Sequence, residues 1–382
     1  MRQLSDATIR ISSYTGLLVR SIELCCGAIL YSAELKDKIS AGIFVGKLGY
    51  VASLAYKRME ELRFGQLLIE SSAAEALDRI ARDLHPTEAI SAIQSLVTSI
   101  SARNASRDEI IDQPSQMVYE IGATTFHIRS SPDQAPAFEA DKTTPYTGNE
   151  LIAAVPVFPA RPRGMAIRTD RPINFDARMK TVEGRCSIIH DICIDVEICA
   201  SEVCAMTVLL YRKAPLLLKL DMARQVWDEA RHAELALERF EQLGGESSKQ
   251  TYTFGVIQRW RMGGELSERL AVQQVLSEGN ALDGVTSLAA AFAAAGDHET
   301  SRMFEFFTAD EEAHVRFGNR WIRQLARSEA GYNEIIQRMS RRLGIPIPGF
   351  PTVNVPSRRN AGFTDHQIEL MVEAQRNRPI TH

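Results

Sequence analysis

Apolar residues recur at three- and four-residue intervals through the first third of the chain and again through a long stretch after Glu183, the spacing of amphipathic helices. In the first region the segments SIELCCGAILYSAELKDKI and KLGYVASLAYKRMEELRFGQLLIE carry this pattern, and residues 3 to about 110 are predicted helical. From Asp112 to about Met179 the pattern breaks. Prolines punctuate short apolar runs such as MVYEIGATTFHI and LIAAVPVFPARP, which predict loop with a few short strands.

From Glu183 onward four long helices are predicted. The first runs from about Arg185 to Lys213 and is broken near Pro215. The second runs from about Leu217 to Leu243, where Gly244–Gly245 ends it as a C-cap does. A connection of about 20 residues leads to a third helix, about Glu265 to Ala295, closing at Gly296, and a fourth from about Glu299 to Leu325. A shorter helix, the proline-rich GIPIPGFPTVNVP and a last helix near 365–377 follow. The predicted organisation is an N-terminal helical region over 1–111, an irregular linker over 112–182, a helical bundle over 183–330 and a C-terminal extension over 331–382, mostly α throughout.

Composition adds exclusions. The chain of 382 residues is 45% hydrophobic and 24% charged, with a formal net charge of −4, which gives no electrostatic case for nucleic acid or an anionic membrane surface. No apolar run approaches the roughly 20 residues that a membrane span requires. The N-terminus, MRQLSDATIRISSYTG, lacks the apolar core of a secretory signal, so a cytoplasmic protein is expected. The six cysteines, Cys25, Cys26, Cys186, Cys193, Cys199 and Cys204, form no CxxC pair and read as small buried hydrophobes in a reducing compartment.

The chemistry lies in a repeat. Asp228-Glu229-Ala230-Arg231-His232 and Asp310-Glu311-Glu312-Ala313-His314 each set a Glu and a His three residues apart, so both project from one face of a helix. Upstream of each pair lies a lone glutamate. Glu197 precedes Glu229 by 32 residues and Glu278 precedes Glu311 by 33. Antiparallel helices joined by a short turn bring such positions to one height, at about 1.5 Å per residue. Near-equal spacing in the two halves implies an internal repeat and a pseudo-symmetric pair of metal ions. Glu202 is the alternative to Glu197, but its interval of 27 residues matches the second half less well.

The six proposed ligands are therefore Glu197, Glu229, His232, Glu278, Glu311 and His314. Asp228 and Asp310 sit four residues before the histidines and are placed to accept the free N–H of a ligating imidazole, including one on the opposite helix. One Glu-x-x-His pair alone is usually a solvated surface pair; two copies with matching upstream glutamates are not. His190 reads as a satisfied structural histidine, with a cap or hydrogen bond near the site as the alternative; Arg231 and Arg316 read as partners of nearby carboxylates or of solvent; a donor near bound oxygen is only the minority reading of Thr308. Phe304, Phe306, Phe307 and Phe317, with Trp227, Trp260 and Trp321, read as packing residues.

At GRCSIIHDICIDVE, DEARHAELALERFEQLGG, VLSEGNALDG, GDHETSRMFEFFTADEEAHVRFGNRW and PSRRNAGF the sequence resembles the ferritin-like superfamily of di-iron and di-manganese carboxylate proteins, and within it a bacterial family of unassigned function. The likeness covers about 185–363. It implies a ferritin-like four-helix bundle, with an added N-terminal helical region and a proline-rich connecting segment. It also implies two iron ions, or manganese or a mixed pair, with O2 as co-substrate. The activity it implies is a di-iron oxygenase that hydroxylates, desaturates or N-oxygenates a small or carrier-bound organic substrate. Such an enzyme draws electrons from a donor such as a ferredoxin or reductase, and a homodimer is compatible with it. A ferroxidase or metal-storage protein, a tRNA-modifying hydroxylase and a non-enzymatic helical scaffold are the competing expectations.

Overall fold

A computed structural model describes residues 6–83, 86–105, 143–145, 155–168, 175–348 and 352–376. MVYEIGATTFHI, and with it His127, lies outside the described residues, as do His85 and His382. The described chain is mostly helical. Its strands are very short: β1 (Leu68–Glu70) pairs antiparallel with β2 (Thr143–Pro145), and β3 (Ala166–Ile167) pairs parallel with β4 (Thr251–Tyr252).

The chain divides into two compact units. The first comprises Met1–Pro162 and Cys204–Ala230. It contains α1 (Asp6–Tyr31), α2 (Leu35–Glu61), α3 (Ser71–Asp83) and α4 (Pro86–Ala105). To these it adds the second part of α7 (Cys199–Leu210) and the first part of α8 (Leu216–Gln242). Helices α1 and α2 pack on each other as a hairpin. On α2, Gly42 and Gly46 let the helix lie against Val226, Trp227 and Ala230, because a Cβ at either position would overlap those side chains. Buried charges of this unit pair with one another. Glu23 accepts from Lys219 Nζ at 2.8 Å, and Arg20 joins Glu23 at 3.4 Å to Asp78 at 3.0 Å.

These first two helices correct one sequence expectation. Both α1, over Thr8–Tyr31, and α2 are long and apolar enough to cross a membrane by length and composition. Arg20, Glu23 and Lys38 interrupt the run without lowering its average enough to exclude a span. In α1 protein already covers 89% of the most apolar window, and in α2 61%.

The second unit comprises Arg163–Val203 and Arg231–His382. It holds α5 (Phe175–Met179), α6 (Val182–Asp191), the start of α7 and the end of α8. After them come α9 (Gly255–Arg261), α10 (Leu266–Leu270), α11 (Glu278–Ala294), α12 (His298–Ala326), α13 (Glu329–Leu343), α14 (Val355–Asn360) and α15 (Asp365–Arg376). The four predicted long helices are all present, within a few residues of their predicted ends. Gly244 and Gly296, at φ +82° and +80°, take the left-handed conformation that closes α8 and α11. Thr181 caps α6 by accepting from Gly184 N, and Asp297 caps α12 by accepting from Thr300 N. Helices α11 and α12 pack along each other.

Periodicity did not foresee one feature. Two π-helical segments, Ile192–Ile198 between α6 and α7 and Ala271–Ser277 between α10 and α11, widen the helical path by a residue per turn. Glu197 lies inside the first, and Glu278 follows the second directly.

Candidate metal centre

The first π segment is anchored at its acidic residues. Arg168 joins Asp191 at 3.0 Å and Asp195 at 2.5 Å, and Asp195 Oδ1 accepts from Thr253 N at 2.7 Å. Burial pushes the Asp195 carboxyl up to about 6, against the Thr253 N–H and Arg168, which pull it down. This clamp fixes the turn that carries Glu197, which is buried. At the second π segment the Gln273 amide donates to Glu278, likewise buried.

Within the second unit the carboxylates and imidazoles converge. His232 Nδ1 lies 3.3 Å from Glu197 Oε2 and 3.7 Å from Glu311 Oε1. His314 Nδ1 lies 3.6 Å from Glu311 Oε2. The two oxygens of one carboxylate thus face two different histidines. The rings themselves stand 6.3 Å apart between centroids. Glu229 lies just beyond the unit boundary on the unbroken α8, so helical geometry alone sets it one turn before His232. Its carboxylate accepts from Gln225 Nε2, four residues earlier, at 2.9 Å.

Glu197, Glu229, His232 and Glu311 each offer a ligand atom within 4.8 Å of one another, and so do Glu229, Glu278 and His314. All six predicted ligands therefore occur in two overlapping groups, with Glu229 common to both, and every one is buried. Glu202 is buried as well, but the group that forms contains Glu197.

The arrangement fits a pair of cations. Around one ion bound at roughly 2.1 Å, neighbouring donor atoms stand about 3.0–3.5 Å apart, near the 3.3–3.7 Å seen around His232 and Glu311. Glu311 Oε2 is buried without a hydrogen-bond donor. Burial pushes the Glu311 carboxyl up, but His314, Glu278 and His232 together outweigh it and hold it below the usual range. Carboxylates and imidazoles at such depth are costly unless a positive charge offsets them.

The histidine orientation follows from its other nitrogen. His232 Nε2 lies 3.2 Å from Asp310 Oδ2, which also receives Arg231 Nη2 at 2.8 Å. The carboxylate takes the Nε2–H and leaves the Nδ1 lone pair facing Glu197 and Glu311. This is the contact across helices expected of Asp310. Asp228 is fully buried and accepts twice from Arg224 Nε, at 3.0 and 2.8 Å. Arg231 is thus a carboxylate partner, whereas Arg316 donates to the Asn360 carbonyl at 2.9 Å.

A family model described as "Protein of unknown function (DUF455)" matches residues 126–369. The chain belongs to this DUF455 family. The matched stretch contains both Glu-x-x-His pairs, both lone glutamates and the two aspartates. No curated protein and no solved structure matches the chain.

Several residues of this DUF455 chain were read differently from sequence. Phe307 is more than packing: its ring stacks on His232 at 3.9 Å between centroids, walling one side of the imidazole. Phe306 is about half exposed, with Arg231 over its ring, rather than in the core. His190 is buried, yet neither ring nitrogen has a hydrogen-bond partner, so it is not the satisfied histidine expected. Gln225 and Gln273 had no place in the sequence reading. Helical spacing alone would have found Gln225 beside Glu229; Gln273, five residues before Glu278, needs the π turn.

Proposed function

We propose that the chain forms a ferritin-like di-metal centre with iron as its resident metal, and that it is an O2-dependent oxygenase acting on a small or carrier-bound organic substrate. The observation that carries this reading is the Glu311 carboxylate, whose two oxygens face His232 and His314 while Glu197 and Glu278 complete two overlapping ligand groups. Two iron ions in such a setting supply a two-electron reduction of O2 at a buried position.

The protein's own groups prepare that position. Asp310 holds His232 in one tautomer, and Gln225 and Gln273 donate to Glu229 and Glu278, restricting how those carboxylates turn. Phe307 excludes water from one face of His232. The four glutamates would hold the ions as negatively charged donors and the two histidines as neutral ones, a donor set suited to iron.

The overall reaction for a hydroxylation balances as substrate C–H plus O2, two electrons and two protons, giving C–OH and water. The electrons come from a donor such as a ferredoxin or reductase. Titration of the metal-free protein with Fe(II) under anaerobic conditions should saturate at two ions per chain. On admitting O2 with a reductant and substrate, consumption should exceed the bound iron. Consumption that stops in fixed ratio to iron would indicate a ferroxidase instead, and failure to bind iron would sink the metal reading.

A further inference from the structure

The segment from Asn354 to Phe363 crosses both helices that carry the second half of the proposed centre. Towards α11, Asn354 N donates to Asp283 Oδ1 at 2.7 Å and Arg358 Nη2 donates to Asp283 Oδ2 at 2.6 Å. Towards α12, Asn319 Nδ2 donates to the Ala361 carbonyl at 2.9 Å and Arg316 Nε to the Asn360 carbonyl at 2.9 Å. Asp283 lies five residues after Glu278, and Asn319 five residues after His314. Because α11 and α12 run antiparallel, Asp283 lies beyond Glu278 toward their connecting turn and Asn319 lies beyond His314 away from it, so the segment spans the ligand level and holds one helix on either side of it.

Arg358 is the centre of this tie. It is fully buried, stacks over Phe363 at 5.3 Å, and leaves Nε and Nη1 without hydrogen-bond partners. A Cβ added at Gly279, next to Glu278, would stand 3.7 Å from Phe363 Cζ and 3.9 Å from Arg358 Nη1, so the guanidinium lies directly against the backbone of the ligand turn. A buried ion pair with unsatisfied nitrogens is a poor device for stability alone, because an apolar replacement of equal volume is often as stable. It is a good device for fixing one register.

We propose that Arg358 is a positioning residue of the metal centre: through Asp283 it sets the height and spacing of Glu278 on α11 against Glu311 and His314 on α12, and so governs occupancy of the second metal position. The inference rests on the di-metal reading above. Its test is a Co(II) titration of the full chain, well below the unfolding temperature, followed by visible absorption.

Wild type should bind two Co(II) ions. Arg358→Met should keep one affinity and lose at least tenfold in the other, with a changed Co(II) spectrum, and Arg358→Lys should recover part of the loss. Asp283→Asn, which removes the charge and replaces one of the two acceptor oxygens by an NH2 donor, should weaken the same ion and serves if Arg358→Met does not fold. Arg359→Ala, which removes only an exposed pair with Asp365, should leave both affinities unchanged. A folded Arg358→Met or Asp283→Asn protein that binds two ions with wild-type affinity and spectrum, merely unfolding at lower temperature, overturns the proposal. Wild type binding fewer than two ions removes the di-metal reading itself, and this inference with it.

Discussion

His232 presents its Nε2 to Asp310 Oδ2 at 3.2 Å, so the aspartate of one Asp-Glu-x-x-His motif orients the histidine of the other. The two halves of the repeat are thereby interlocked at the level of single protons. Asp310 Oδ2 also receives Arg231 Nη2 at 2.8 Å, which holds the carboxylate in place beside the ring.

Asp310→Ala should weaken metal binding by about 10–100-fold, the usual cost of removing a group that orients a ligating imidazole. Asp310→Asn should fall in between, because an amide oxygen still accepts the Nε2–H but carries no charge. Anaerobic Fe(II) or Mn(II) titration reads both. Wild-type affinity in Asp310→Ala would mean that the contact does not set the His232 tautomer.

Metal removal should be visible as stability. A ligand that binds only the folded state at 100 times its dissociation constant adds about 2.7 kcal/mol. Addition of Mn(II) to metal-free protein should raise the melting temperature, and a chelator should reverse it. Glu311→Gln, which replaces the carboxylate facing both histidines, should remove most of that increase.

How much of this was legible in the sequence follows from the kind of regularity involved. Four long helices, their glycine caps at Gly244 and Gly296, the two Glu-x-x-His pairs and the reach of Asp310 obey ordinary helical arithmetic, and near-equal spacing pointed to Glu197 and Glu278 as well. The π segments break that arithmetic, so the role of Gln273 beside Glu278 was invisible. Phe307 looked like any helix-face aromatic, since no pattern distinguishes a ring on core from a ring on imidazole. The span-like character of α1 and α2 was missed because charges such as Arg20 and Glu23 look surface-bound in a string, whereas here they pair with each other inside the protein.

Packing around the second π segment makes a prediction of sign. A Cβ at Gly318 on α12 would overlap the Cβ of Gln274, which is not the movable end of a side chain. Alanine there gains helix propensity of about 1 kcal/mol but overpacks at about 1–3 kcal/mol, so Gly318→Ala should be destabilising. Gly27 on α1 has nothing within 4 Å of an added Cβ, and Gly27→Ala should stabilise by up to about 1 kcal/mol. Denaturant midpoints that move the same way in both variants would contradict this reading.

The cysteines should be inert in the folded protein. All six are buried and none is in a disulfide, and burial pushes the thiols of Cys25, Cys26, Cys186 and Cys193 up, away from the reactive thiolate. A thiol reagent at neutral pH should react slowly with native protein and label six thiols on denaturation. Rapid labelling of one cysteine without denaturant would show an opening of the helix that holds it.

His190 supplies a pH dependence. Its ring is buried against Phe240 at 4.9 Å, and neither nitrogen has a hydrogen-bond partner. Burial pushes it down to about 4; Asp191 raises it and Arg168 lowers it by smaller amounts. An unfolded histidine titrates near 6.5. Between those values the unfolded chain binds more protons than the folded one, so stability rises with pH across the window. The folded state is favoured in full above about 6.5 and loses stability as pH falls toward 4. The loss attributable to this residue is at most about 3 kcal/mol, from 1.36 kcal/mol per pH unit. His190→Leu, which keeps the volume without a titrating group, should flatten this part of the denaturation profile between pH 7 and 4.5. An equal slope in wild type and variant would mean that His190 finds a proton acceptor on acidification, and that the ring is less isolated than its surroundings show.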